Sequence, residues 1–259
     1  MWRVGVVGSP ISHSRSPQLH LLGMSLLNLS GTSSRWERDL DGCEGFAGQM
    51  APRFDALSVT MPLKAALASQ CGVLDDAARS LGVVNSVRLR EGVLEGVATD
   101  GPGLLDALRD LWSLEVAGMH VVVLGSGGSA RAIVDALVTA GAASVVVLGR
   151  NAETVAAICA KYANVTGENA IYRPIDLLIN TIPEPSRTLQ ADTVAGVRAT
   201  THVVDITYDP LESGWLAQHR ALGCPSMNGL AMLAYQAARQ MQWWWGAPVD
   251  GAFLLKGIS

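Results

Sequence analysis

The chain has 259 residues, 49% of them apolar and 16% charged, which excludes a disordered segment and a small disulfide-stapled scaffold. The length suits one large domain or two modest ones. A formal net charge of −4 offers no broad basic surface to nucleic acid or anionic lipid, so an anionic ligand has to be held by a local site.

In chain order, short β-branched runs alternate with helix-length apolar periodicity, the rhythm of an α/β sheet. Arg3 to Val7 reads as a strand, Pro17 to about Leu29 as a helix, Arg35 to Leu40 as a strand, Gly42 to Met50 as a helix and Ala56 to Thr60 as a strand, with a helix from Pro62 onward. Pro17 and Pro62 stand where helices would begin, a position with no amide bond to lose. Val83 to Leu89 and Val93 to Leu94 read as a hairpin across Arg90-Glu91-Gly92, and Asp100 to Leu111 as a helix. His120 to Leu124 is almost unbroken apolar sequence, as in a strand buried on both faces of a parallel sheet. A helix from Ala130 to Ala140, a strand at Ser144 to Leu148, a helix from Ala152 to Tyr162 and strands at Asp176 to Asn180 and His202 to Ile206 complete a doubly wound pattern. The closing helices, Gly229 to Trp245 and Val249 to Leu255, carry more apolar surface than that unit needs. They are expected to return to the first domain, giving residues 1–100 plus 230–259 around an inserted domain of 101–229.

Cys43, Cys71, Cys159 and Cys224 form no close pair and the five histidines are scattered, so neither a metal site nor a disulfide framework is expected and reduced thiols in a cytosol are the default. Met1 leads straight into the strand-like Trp2 to Val7, and Asp135 and Gly141 break the apolar run from Ala132 to Leu148. Neither a signal peptide nor a membrane span is expected. Trp243, Trp244 and Trp245 fan across about 300° of a helix and cannot share one core. A domain junction, a contact in a homodimer, or core with a half-exposed rim would each use them.

Gly125-Ser126-Gly127-Gly128-Ser129-Ala130 lies between a buried strand and a helix, the context that turns a glycine pattern into a dinucleotide fingerprint. Gly125 permits the tight turn, Gly127 lets backbone approach a pyrophosphate, Ala130 permits close helix packing, and the helix N-terminus meets the anion. The next strand ends in Leu148-Gly149-Arg150-Asn151. No acid is present to bind a ribose 2′-hydroxyl, and Arg150 points to NADP rather than NAD. Three polar groups stand at strand ends in the first domain: Ser14-Arg15-Ser16, Ser58-Val59-Thr60 leading to Lys64, and Thr99-Asp100. With Asn85 they suit a small polyhydroxylated acid. Singly, each has a plain structural explanation: Ser14 or Ser16, Thr60 and Asp100 could all be helix caps.

Together these segments resemble the shikimate and quinate dehydrogenase family. Gly8-Ser9-Pro10-Ile11-Ser12-His13-Ser14-Arg15-Ser16-Pro17, with His20, is similar to its N-terminal signature, and Ser58-Val59-Thr60-Met61-Pro62-Leu63-Lys64 to its lysine motif. Val84-Asn85-Ser86, Thr99-Asp100-Gly101 and Gly229-Leu230-Ala231-Met232-Leu233 with Gln236 resemble its asparagine strand, aspartate motif and closing helix. The resemblance implies an N-terminal α/β substrate domain and a Rossmann-like dinucleotide-binding domain. It implies that Ser14 and Ser16, helped by Tyr208, hold a substrate carboxylate, that Thr60, Asn85 and Gln236 bind ring hydroxyls, and that Lys64 and Asp100 are the catalytic pair. Gly125, Ser126, Gly127, Gly128, Ser129, Ala130, Arg150 and Thr181 would serve NADP. The implied reaction is reversible reduction of 3-dehydroshikimate to shikimate in aromatic amino acid biosynthesis. Quinate, an amino analogue, or a ligand-binding role with little catalysis are the alternatives, while Ser14-Arg15-Ser16 fits a small carboxylate better than the pterin of methylene-tetrahydrofolate-type dehydrogenases. The chain departs from the family pattern at Ser58 and Ala98, where asparagine is common, at Asn180 to Pro183, and at Thr154, where a second arginine is frequent.

Overall fold

The computed structural model describes residues 1–167, 174–182 and 196–259. The elements in order are β1 (Trp2–Gly8), α1 (Ser16–Leu26), β2 (Gly31–Glu37), α2 (Phe46–Met50), β3 (Ala56–Val59), α3 (Lys64–Ala68), β4 (Val73–Leu74), α4 (Asp76–Leu81), β5 (Ser86–Arg90) and β6 (Val93–Val97). Then come α5 (Asp100–Trp112), β7 (His120–Leu124), α6 (Gly128–Thr139), β8 (Ser144–Leu148), α7 (Ala152–Cys159), β9 (Val165–Thr166), β10 (Leu177–Asn180) and β11 (His202–Asp205). The chain closes with α8 (Gly214–Ala221), β12 (Ser226–Met227), α9 (Gly229–Trp245) and α10 (Gly251–Ile258). Two compact units result, Met1–Ala107 with Leu233–Ser259, and Leu108–Met232, and the cuts fall inside α5 and α9.

The first unit is built on a six-stranded sheet in the order β2-β1-β3-β5-β6-β4, with β5 antiparallel to both of its neighbours. Its β5–β6 hairpin turns at Glu91 and Gly92, both with positive φ. The second unit has a wholly parallel sheet, β12-β11-β10-β7-β8-β9. Chain order runs outward from β7 to β9 and resumes at β10 on the other side, so β7 and β10 flank a topological switch point, where the carboxyl ends of parallel strands leave a ligand crevice. Val121–Leu124 and Leu177–Ile179 are buried throughout, as strands covered on both faces must be.

Two local expectations change. The second strand begins at Gly31, not Arg35, because Gly31 to Glu37 pair with Trp2 to Gly8 in parallel register. As an edge strand it can be mostly polar, burying Trp36 alone among its residues. Pro62 is not the first residue of a helix: Leu63 N donates to Thr60 O at 2.9 Å in a turn, and α3 starts at Lys64 with Leu63 as an uncapped N-cap. Thr60 is therefore no side-chain cap. The tryptophan triplet divides three ways within the first unit. Trp244 is buried and donates to Ser86 Oγ at 2.8 Å, Trp243 lies beneath Arg88 at 4.2 Å, and Trp245 meets Trp2 at 6.3 Å.

Candidate active site

In the first unit, most of the candidate side chains stand on loops and helix starts at the ends of β1, β3 and β6. The loop after β1 is tied to the loop after β3 by Ser9 N donating to Met61 O at 2.9 Å. Ser14 on the first of these loops and Ser16, the first residue of α1, are buried. Neither caps α1 in the usual way: Arg15 is the N-cap, and Ser14 Oγ accepts only a long 3.3 Å bond from Ser16 N. Arg35 of β2 secures the loop by donating to Ser14 O at 2.5 Å, and Arg15 reaches Ile258 O of α10 at the same distance. Thr60 is half-buried on the second loop, its amide bonded to Val7 O at 2.9 Å.

Lys64 opens α3, and its Nζ is paired with Asp100 Oδ2. Their side chains are 16% and 10% exposed, so the pair is largely withdrawn from water yet reachable. Asp100 opens α5, with Gly103 N bonded to Thr99 O at 2.8 Å in its first turn. Its second oxygen accepts from Asn85 Nδ2 at 2.7 Å, so this carboxylate answers to Lys64 and Asn85 and not merely to its own helix. Asn85, immediately before β5, is held between β3 and β6: its amide bonds Val97 O at 3.1 Å, its carbonyl accepts Val59 N at 2.7 Å, and neighbouring Val84 N bonds Lys64 O at 3.0 Å. Those three backbone bonds fix Asn85 between β3 and β6 and tie its neighbour to Lys64.

Gln236 of α9 joins the group, accepting from Asn85 Nδ2 at 3.0 Å. It is set from behind by Gly103 of α5, where an added Cβ would lie 2.5 Å from both Cα and N of Gln236. Only a glycine permits that approach. Two further residues belong to the same network, Ser58 and Gln240, together with His20, whose pKa is pushed down by burial from 6.5 to about 3. Gln240 escaped the sequence analysis. Its signal was a glutamine one turn after Gln236 on an otherwise alanine- and methionine-rich buried face.

The second unit carries the glycine turn. Gly125 has φ +113°, and a Cβ there would meet Thr181 Oγ1 at 2.1 Å, which brings the ends of β7 and β10 together at the switch point. Thr181 itself is pinned to Leu124 O by its amide at 2.8 Å and its hydroxyl at 2.7 Å. Gly127 is the N-cap of α6 with no side-chain cap, nothing within 4 Å would meet a Cβ on it, and Gly128 and Ser129 follow in the first turn. Ala130 is fully buried beneath them. An open cradle of first-turn amides is what a pyrophosphate requires, so these residues fit a dinucleotide. Ser126 Oγ lies 2.9 Å from Thr154 Oγ1, linking the turn to the first turn of α7, which follows the short loop that bears exposed Arg150. Asn151, next to Arg150, caps α7 through Thr154 N at 3.0 Å.

Tyr208 follows β11 in this unit and is half-buried. The ends of β10 and β11 are organised by Asp205, a buried carboxylate that accepts from Asn180 Nδ2 (3.0 Å), Thr207 N (3.0 Å) and Ser213 Oγ (2.5 Å). Asp205 was also missed; an acid ending an apolar strand was the available signal. Of the departing segment Asn180 to Pro183, Pro183 lies outside the described residues. Among the described residues no group of three or more His, Cys, Asp or Glu could hold a metal, and no helix is long and apolar enough to cross a membrane.

Comparison with known proteins matches residues 6–87 to the shikimate dehydrogenase substrate binding domain and residues 109–208 to shikimate / quinate 5-dehydrogenase. A shikimate dehydrogenase (NADP(+)) of Exiguobacterium sp. is 33% identical over 98% of both chains. The crystal structure of shikimate 5-dehydrogenase from Thermus thermophilus, in complex with NADP(H) and shikimate, superposes with a TM-score of 0.89 at 30% identity, covering 99% of this chain and 98% of that one. The ligand-free 5-ketofructose reductase of a Gluconobacter species superposes with a TM-score of 0.83 at 26% identity, covering 98% and 96%. With both domain types matched in order, and relatives aligned over nearly their full length, the chain belongs to the shikimate/quinate dehydrogenase family.

Proposed function

We propose that this protein is an NADP-dependent shikimate dehydrogenase, reversibly reducing 3-dehydroshikimate to shikimate in aromatic amino acid biosynthesis, with Lys64 and Asp100 as its acid–base pair. The observation that carries the reading is the Lys64–Asp100 ion pair, withdrawn from water and steadied by Asn85. Residues 125–130, with Arg150 and Thr181, would hold NADPH, which would supply the hydride. Negative charge then develops on the substrate oxygen, where the Lys64 ammonium stabilises it and donates a proton. Asp100, paired with the Lys64 Nζ, orients it. The oxidation direction releases a proton overall, so its equilibrium gains from higher pH. Thr60, Asn85 and Gln236 present ring-hydroxyl partners, and Ser14, Ser16 and Tyr208 hold the carboxylate. Four free thiols accord with a cytosolic location.

Because a 5-ketofructose reductase shares the fold, substrate choice is the point to test. Nicotinamide absorbance with shikimate, quinate or 5-ketofructose and its alcohol, each with NADP and NAD, should show the highest specificity constant for shikimate with NADP. Comparable or faster turnover of another pair overturns the assignment.

Ser14→Ala combined with Ser16→Ala should raise KM for shikimate more than it lowers kcat, since a carboxylate remote from the reacting carbon is bound about equally in ground and transition states. Unchanged kinetics with earlier melting would leave these serines a structural role only. Arg150→Ala should erase most of the preference for NADP. With Thr154 in place of a second arginine, that preference is itself on the order of one to two powers of ten, the worth of one charge-assisted hydrogen bond. NAD kinetics should scarcely change, since the first-turn amides of α6 do not depend on Arg150. Equal losses for both cofactors would remove Arg150 from the 2′-phosphate.

A further inference from the structure

The polar groups behind the Lys64–Asp100 pair form one hydrogen-bond chain whose direction is dictated by the backbone. Gln236 Nε2 donates to Leu233 O at 2.9 Å, and a carbonyl can only accept, so Gln236 Oε1 must face the opposite way. There it receives Gln240 Nε2 and Asn85 Nδ2. Gln240 Nε2 also donates to Asn85 O at 3.1 Å, which turns Gln240 Oε1 toward Ser58. Asn85 Oδ1 accepts from Thr99 N at 2.7 Å, so its Nδ2 is the end that meets Asp100. Three backbone groups thus fix three amide orientations.

The remaining protons follow. Ser58 Oγ donates its single proton to Gln240 Oε1 at 2.6 Å and therefore accepts from His20 Nε2 at 3.0 Å. That puts the imidazole proton on Nε2 and leaves Nδ1 to accept from Ser33 Oγ at 2.8 Å. Complete burial of His20, edge-on to Trp244 at 5.1 Å, keeps the ring neutral, as this assignment requires.

We propose that His20, Ser58 and Gln240 are positioning residues for the reaction: they hold the Gln236 and Asn85 amides in the one orientation that keeps a donor on Asp100, and through it keep the carboxylate directed at Lys64. None of the three has to touch substrate. Without the Ser58 proton, Gln240 Oε1 loses its donor, the hold of Gln240 Nε2 on Gln236 Oε1 and Asn85 O slackens, and the Asn85 donor is less firmly aimed at Asp100. This inference rests on the acid–base reading of Lys64 and Asp100.

A mutant cycle tests it, with each variant assayed well below its melting midpoint. Ser58→Ala should lower kcat about tenfold, within the worth of a hydrogen bond serving a charged group. Gln240→Met should do the same, and the double variant should be no worse than Gln240→Met alone. In a Lys64→Ala background, assayed with enough enzyme to compensate for its lower rate, Ser58→Ala should change kcat by less than about twofold, because the group being positioned is gone. An equal loss in both backgrounds, or no loss in either, overturns the proposal, since a residue that merely supports packing acts regardless of Lys64. If Lys64→Ala itself retains turnover, the acid–base reading fails instead.

Discussion

Lys64→Ala should fold, bind shikimate and lose turnover by about 10²- to 10⁴-fold, the contribution typical of a positioned proton donor. The fold should survive because the backbone carbonyl of Lys64, which accepts Val84 N at 3.0 Å, is untouched, and Asp100 keeps its Asn85 donor at 2.7 Å. Binding should survive because the carboxylate and most ring hydroxyls are assigned to other residues. Nicotinamide absorbance gives the rate and calorimetry the shikimate affinity. Near-normal turnover would move the proton transfer to another group; lost affinity with unchanged kcat would make Lys64 a binding residue.

The second large effect is on acid stability and comes from His20. Burial lowers its pKa from 6.5 to about 3 in the folded protein, so the unfolded chain takes up a proton that the folded one refuses. The stabilisation this represents is complete above about pH 6.5 and drains away as pH falls, by about 1.4 kcal/mol per pH unit, until the folded-state value is reached. Between pH 6.5 and 4.5 the wild type should therefore lose about 2 kcal/mol from this residue alone. His202, also lowered by burial, adds to the slope in the same direction. Comparing urea midpoints with His20→Asn isolates His20: the variant starts less stable at neutral pH but falls less steeply. Parallel curves would mean that His20 is protonated in the native state.

Both predictions depend on residues whose roles were unequally visible in the sequence. Strands buried on two faces, such as β7 and β8, were legible to the residue because apolar runs between Gly and polar breaks admit few other readings. β2 was misplaced because Gly31-Thr32-Ser33-Ser34 has the composition of a turn and becomes a strand only through pairing with β1, a non-local interaction that composition does not carry. The start of α3 was misjudged for a similar reason, since Pro62 is as suited to a turn as to a first helical position. For the candidate site, Lys64, Asn85 and Asp100 could be picked out by motif. The chain behind them could not, because Ser58 meets partners 38 and 182 residues away in sequence. A buried histidine on an apolar helix face says that a partner exists without saying which.

The glycine at 103 bears on how this protein can change over generations. Asp100-Gly101-Pro102-Gly103 is a poor beginning for a helix, each glycine costing about 1 kcal/mol against alanine. Gly103 occupies the same face of α5 as Asp100 and rests against the backbone of Gln236, with no side chain between them to trim or repack. A drift toward better helix formers at this position, neutral or favourable on most helices, would here displace Gln236 and be selected against as a loss of activity. Inherited variation at residue 103 is thus governed by the chemistry of a site that residue never enters.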